Sequence, residues 1–399
     1  MIKSKSAVTK GAVAIIDWNV SGHHATYLRE YILSFVERST PVIILSPEKP
    51  SLDKFGEICV WREIPTILWM KKLKHLGTPF ARWLFARRIA AAMRDAEAEL
   101  EVKCVHALFG CFYENQAKLA VRVITKINLP ASGLYLHAGI FHSGAYLRKN
   151  RTTHKVLTLF KHPQLRVIYM LDEGTINKVA EFSEKQTALL PDITDYSTDN
   201  ADPLPANLGL IPKKRPVIGL LGHLRPSKGV SEFVAFARSV PDLDVTFLLA
   251  GYCSWDEFPP EEKESIQQVL ANDSRFIFYP HRIPKETSYN ALIQSCDILW
   301  AVYRDCPHSS NTLAKAAFFQ KPVVVAEGHL MARITRRFGL GIIVPTDAPE
   351  KFKKLLLQLV NNTPEWLKNN PPNWSAFRNE NSNENFRKKI YEKIFNLKV

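Results

Sequence analysis

The sequence predicts an α/β protein built from two doubly wound parallel-sheet domains that face each other across a cleft. Three observations carry this. Short β-branched runs alternate with helical patterns along the chain. The runs of the second half are continuously apolar rather than alternating, as parallel strands buried on both faces require. A segment rich in Pro, Asp and Asn, Asp195–Arg215 (DYSTDNADPLPANLGLIPKKR), divides the 399 residues into two halves, each of ordinary domain size.

In the second half the predicted strands are Val217–Leu221, Val245–Ala250, Phe276–Tyr279, Ile298–Val302, Val323–Ala326 and Ile342–Val344. Helical spacing falls between them, at Ser231–Arg238, Glu261–Ala271, Ser288–Ser295, Thr312–Phe319 and Met331–Phe338. Successive βα units give a Rossmann-like sheet that binds ligands beyond the carboxyl ends of its strands. The first half repeats the pattern less cleanly. Its strands are expected at Ala12–Asp17, Val42–Leu45, Cys104–Leu108, Leu134–His137 and Val167–Leu171, and its helices at Ala25–Val36, Trp83–Glu99, Asn115–Lys126 and Ile176–Glu184. This divides the chain into a domain over 1–200, a linker over 201–215, a second domain over 216–370 and a tail over 371–399. In the tail, Phe386, Ile390 and Ile394 share one helix face, expected to pack back on the first domain.

Hydrophobic content of 46% and charged content of 23% exclude a disordered chain. A net charge of +14 points to an anionic partner. The six cysteines are scattered without a CxxC pair, which argues against a zinc ribbon or a disulfide framework and for a reducing compartment. The apolar run Ala12–Ile16 is short, stops at Asp17 and has no cleavage site after it, so no signal peptide is expected. No apolar run reaches the length of a membrane span. Cytoplasmic placement follows as the expectation.

Two segments of the second half suit phosphate. In Tyr303–Gly328 (YRDCPHSSNTLAKAAFFQKPVVVAEG), Ser309, Ser310, Asn311 and Thr312 sit where a loop becomes a helix. Free backbone N–H groups and the helix dipole make such a turn an anion site, although Ser and Asn cap helices of every kind. In GHLRPSKG, Gly222 follows a strand, and Arg225 and Lys228 bring two cations to the loop beside His223. A glycine there lets backbone approach a ligand. The loop lacks the G-x-x-x-x-G-K-[ST] spacing of a Walker A motif.

Taken together these segments resemble the nucleotide-sugar domain of GT-B glycosyltransferases of the family-4 (group 1) type. The resemblance runs through Gly222, Leu224, Lys228 and Gly229, then Leu248–Gly251, then His281–Pro284, then Ile298–Tyr303, then Ser310, Asn311, Leu313, Ala316, Pro322 and Val323. It implies a GT-B fold and a donor nucleoside-diphosphate sugar as substrate, with no cofactor and no metal. The diphosphate would lie between the Gly222–Gly229 loop and the helix starting near Thr312. Arg282 and Ile283 would line the nucleobase, and Tyr303 would end the strand beside the phosphates. The family implies retention of configuration. The acceptor is expected to be a glycan or, if the basic stretch 69–94 meets a membrane, lipid-linked, as in surface polysaccharide or glycoconjugate synthesis. The family's pair of glutamates falls on Pro307 and Lys315, so its E-x7-E motif is degenerate. In that place Lys315 meets a phosphate or an acidic sugar, or is a plain surface lysine. A non-catalytic nucleotide- or saccharide-binding protein on the same fold is the alternative that these departures favour.

The first half offers weaker matches. Asp17-Trp18-Asn19-Val20-Ser21-Gly22-His23-His24 stands where the family has a glycine-rich loop, and only Gly22 matches well. His137, in GLYLHAGIFHSG, ends an apolar strand and corresponds to a family histidine that contacts the sugar or acceptor. His106 is similarly placed but reads as structural, and His142 and Lys155 are weaker candidates. The stretch 69–94 (WMKKLKHLGTPFARWLFARRIAAAMR) interleaves aromatics with seven cations and no acid. It suits an anionic membrane surface, which would place the protein peripherally on the inner face. A core helix with a solvated basic face has the same pattern. No RRM, KH, zinc-finger or helix-turn-helix signature points to nucleic acid.

Overall fold

The computed structural model describes residues 11–19, 24–50, 56–72, 78–136, 138–148, 150–202, 208, 215–283 and 285–395. The chain divides into two compact units, one of Met1–Ile193 with Ser382–Val399, the other of Thr194–Asn381. Most of the 201–215 segment lies outside the described residues.

The first unit is built on seven strands: β1 (Ala12–Ile16), β2 (Val42–Ser46), β3 (Cys59–Glu63), β4 (Cys104–Phe112), β5 (Ala131–Tyr135), β6 (Leu165–Met170) and β7 (Gln186–Leu189). They are parallel throughout, in the order β3-β2-β1-β4-β5-β6-β7. β1 is wholly buried between two apolar layers: Ala12, Ala14 and Ile16 face one, Val13 and Ile15 the other. That two-sided burial is why the central strands read as unbroken apolar runs. Two edge strands, β3 and β7, escape the sequence pattern because they are only partly buried. The helix Arg151–Phe160 also escapes it. Its sequence, RTTHKVLTLF, is heavy in β-branched residues, and the Asn150 side chain caps it by accepting from the N–H groups of Thr152 and Thr153. The final helix, Asn383–Phe395, belongs to this unit. Phe386 packs against Tyr27 and Tyr31 at ring-centroid distances of 5.6 and 5.3 Å. Arg387 bonds the buried Glu30 at 2.8 Å.

The second unit has six parallel strands: β8 (Val217–Leu221), β9 (Thr246–Ala250), β10 (Phe276–Tyr279), β11 (Ile298–Ala301), β12 (Val323–Ala326) and β13 (Gly341–Val344), in the order β10-β9-β8-β11-β12-β13. The order reverses at β8, so the loops after β8 and β11 leave adjacent strands at the switch point, where such sheets bind ligands. Both units are thus the doubly wound parallel sheets that the sequence predicts. Among the described residues no helix is long and apolar enough to cross a membrane.

Candidate functional site

The loop after β8 is shaped by backbone that only glycine adopts easily. Gly222 has φ of +109°, and its N–H bonds the Ala250 carbonyl at 2.9 Å. Gly229 has φ of +72°, and a Cβ there would lie 1.9 Å from the Val302 carbonyl oxygen. The loop therefore presses directly on the end of β11. Between the glycines, Pro226–Lys228 forms a single 3₁₀ turn. Leu224 is fully buried beneath it and exchanges backbone hydrogen bonds with Tyr252 and Ser254.

This packing joins the two segments expected to hold phosphate. The Lys228 ammonium lies 3.8 Å from the centre of the Tyr303 ring, a cation–π contact that fixes the charge over β11. The Tyr303 hydroxyl is 2.9 Å from Thr312 Oγ1, and Ser310 Oγ donates to it at 3.3 Å. Ser310 caps the helix Asn311–Phe318, its side chain accepting from the Thr312 N–H. Lys228, Tyr303, Ser310 and Thr312 thus form one connected group at the helix N-terminus. Ser309, half-buried, precedes the cap. Arg225 Nε and Asn311 Oδ1 are buried and make no hydrogen bond among the described residues. Buried polar atoms ordinarily find partners, and an unmatched guanidinium N–H on the Gly222–Gly229 loop suits an anionic oxygen.

His223 points elsewhere. Its Nε2 is 2.6 Å from Ser254 Oγ and its ring lies 5.4 Å from Tyr252. Partial burial, then the Arg225 cation, hold its pKa below the usual histidine value, so it is not a third cation at neutral pH. Arg282 stands exposed on the loop after β10, and Ile283 is half-buried against the core beneath it. Gly22, His137 and Pro284 lie outside the described residues.

Lys315 requires a correction. It is neither a surface lysine nor positioned to meet a phosphate or an acidic sugar, because it is 0% exposed and its ammonium is already held. It donates to the Asp195 carbonyl at 2.5 Å and to Asn290 Oδ1, and pairs with Glu286 at 2.7 Å. Those contacts engage all three of its N–H donors. Burial lowers its pKa and Glu286 opposes the shift. Asn290 adds bonds from its amide to the carbonyls of Asp195 and Ser197. The lysine therefore ties the start of the second unit to the helices Glu286–Ser295 and Asn311–Phe318.

Sequence reasoning missed Arg304 and Tyr289. Arg304, after β11, pairs with Glu232 and, at 3.1 Å, with Glu262, and its backbone N–H bonds Ser227. This braces the Gly222–Gly229 loop. Tyr289 places its hydroxyl 3.4 Å from where a Gly222 Cβ would stand. A tyrosine and an arginine on separate elements give no spacing signal in the chain.

A parallel βα sheet pair whose second unit joins a cationic loop to a capped helix defines the class: this is a GT-B glycosyltransferase fold. Residues 215–362 match the family described as glycosyl transferases group 1. It is similar in structure to HepE of Anabaena in complex with UDP and glucose, at TM-score 0.68 and 12% identity, covering 97% of this chain and 100% of that one. It is similar also to the sucrose-phosphate synthase of Thermosynechococcus elongatus, at 0.67 and 13%, covering 98% and 100%. A third similar structure is WaaG, a glycosyltransferase involved in lipopolysaccharide biosynthesis, at 0.60 and 12%, covering 96% and 99%. At such identities the likeness establishes the fold. Comparison of the sequence with curated proteins gave no match.

Proposed function

We propose that the protein transfers a sugar from a nucleoside-diphosphate sugar to a glycan or lipid-linked acceptor, with retention and without a metal, in surface polysaccharide or glycoconjugate synthesis. The observation that carries this is the connected group Lys228–Tyr303–Ser310–Thr312, with Arg225 Nε unmatched on the loop that bears Lys228. Fixed positive charge and helix-end amides stabilise charge that grows on a departing diphosphate, the work a metal does in other transferases. In this reading the second unit holds the donor and the first presents the acceptor. The basic, aromatic helices of the first unit rest on an anionic membrane surface on the inner face.

The experiment is direct. UDP-glucose, present in a HepE complex, leads a thermal-shift panel of nucleotide sugars, followed by measurement of nucleoside diphosphate release. Lys228→Ala should weaken UDP binding about 10- to 100-fold, the loss of one charge-assisted bond, and slow release about 10²-fold or more. Binding across the panel with no release under any acceptor would instead favour a nucleotide-binding protein that keeps the fold, the reading that Pro307 and the buried Lys315 favour.

A further inference from the structure

Beyond β8, β9 and β10 the backbone of the second unit stays paired. The Gly222 N–H donates to the Ala250 carbonyl at 2.9 Å, the Leu224 N–H to the Tyr252 carbonyl at 2.8 Å, and the Gly251 N–H to the Tyr279 carbonyl at 2.9 Å. Leu224 and Cys253 add an isolated parallel bridge. The three loops at this carboxyl edge are therefore stitched together, with the loop after β9 in the middle. Gly251 tightens the seam, since a Cβ on it would meet the Gly222 carbonyl oxygen.

Tyr252 stands on this seam with its side chain in water. Its carbonyl is engaged, yet the residue is 55% exposed. His223, exposed on the neighbouring loop, lies beside it, with 5.4 Å between ring centroids and 43° between ring planes. His223 is itself held, its Nε2 lying 2.6 Å from Oγ of the buried Ser254. A tyrosine this exposed adds little to the core. Fixed on paired backbone and backed by a second ring, it offers a flat apolar surface that loses little entropy when covered.

Position selects the group that covers it. Lys228 and the Ser310 cap belong to the loops after β8 and β11. β9 lies on the other side of β8 from β11, and neighbouring strands are about 4.8 Å apart. A nucleotide anchored by its phosphates at β8 and running towards β10 therefore passes over the end of β9. Of its parts, the base alone is a flat π system.

We propose that Tyr252, backed by His223, is the surface on which the donor's nucleobase stacks, an inference that rests on the donor reading above. Stacking tolerates any base, because every base has a π face. The ring thus sets affinity for the nucleoside and leaves the choice of base to hydrogen bonds from elsewhere. Tyr252 touches the ligand, and His223 is a positioning residue that acts through it.

The test is calorimetric titration of the full chain with UDP, GDP, ADP and inorganic pyrophosphate. The nucleotides carry no sugar to transfer and pyrophosphate carries no base, so the comparison isolates the nucleoside. Tyr252→Ala should weaken every nucleotide that wild type binds about 10-fold or more, and leave pyrophosphate within about twofold. Tyr252→Phe, which keeps the ring, should bind like wild type, and this contrast with Tyr252→Ala decides the matter independently of pyrophosphate. His223→Ala should weaken the nucleotides less than Tyr252→Ala does, and should change nothing further in a Tyr252→Ala protein. Nucleotide affinity within twofold of wild type in Tyr252→Ala, or an equal loss for pyrophosphate, overturns the stacking surface and leaves the donor reading standing. A wild type that binds none of the three nucleotides marks the donor reading as the fault, and the stacking surface falls with it.

Discussion

His106 lies on the first unit's sheet, and its surroundings make it a structural residue. His106, near the start of β4, is 3% exposed and bonds Ser132 Oγ at 2.8 Å. Burial, then the Arg166 cation, push its pKa from 6.5 down to about 3. The native ring therefore stays neutral where an unfolded chain takes up a proton. The unfolded state binds the extra proton below 6.5, so stability falls as pH drops from 6.5 towards 3, at about 1.4 kcal/mol per pH unit for this group. Between pH 7 and pH 5 the wild type should lose about 2 kcal/mol more than His106→Gln in urea unfolding. Parallel losses in the two proteins would contradict this. The structural reading of His106 was legible from its place in an apolar run. Asp17 and His24, 2.8 Å apart, stood in a stretch that the sequence marked, but the Tyr113 hydroxyl reaches His24 Nε2 at 2.9 Å only because β1 and β4 pair side by side, with Ile16 opposite Phe109. The burial of Lys315 was illegible for a plainer reason: lysine is almost never fully buried, and its partners Asp195, Glu286 and Asn290 are remote from it in sequence.

Elements were read most surely where both faces of a strand are covered. The central strands and the helices between them match the apolar and helical spacing closely, whereas the edge strands β3 and β7 carry too little buried surface to mark themselves. The loops are set by close backbone approach, which sequence signals only through glycine. Gly251, after β9, has φ of +137°, and a Cβ there would lie 1.7 Å from the Gly222 carbonyl oxygen. Because that neighbour is backbone, it cannot swing aside, and the whole Gly222–Gly229 loop must shift. Gly251→Ala should destabilise the protein by about 3 kcal/mol or more, combining backbone strain with overpacking. A urea midpoint within error of wild type would show that the loop yields instead. The same substitution should weaken UDP binding, since Lys228 and Arg225 move with the loop.

At the scale of the molecule, the charge of +14 is unevenly used. In the first unit, Leu68, Phe80 and Trp83 are 64%, 46% and 40% exposed on the helices Ile67–Lys72 and Thr78–Leu100. Arg87 covers the Trp83 ring at 4.7 Å and Arg88 the Trp69 ring at 4.9 Å. Partial burial, then repulsion from Arg122 and Arg151, lowers the pKa of Arg82. Like charges gathered around exposed aromatics cost stability in water and gain it against an anionic surface. Each cation near such a surface contributes about 1 kcal/mol. Reversing Arg82, Arg87 and Arg88 to Glu should therefore cost at least about 3 kcal/mol, more than 100-fold in partitioning. Co-sedimentation with vesicles of phosphatidylcholine, with and without phosphatidylglycerol, measures this. Wild type should pellet only with the anionic vesicles, less as salt rises and the Debye length shrinks, and the charge-reversed variant should stay in the supernatant. Equal pelleting with both vesicle types, or an unaffected variant, would show that the basic face is solvated and serves no membrane.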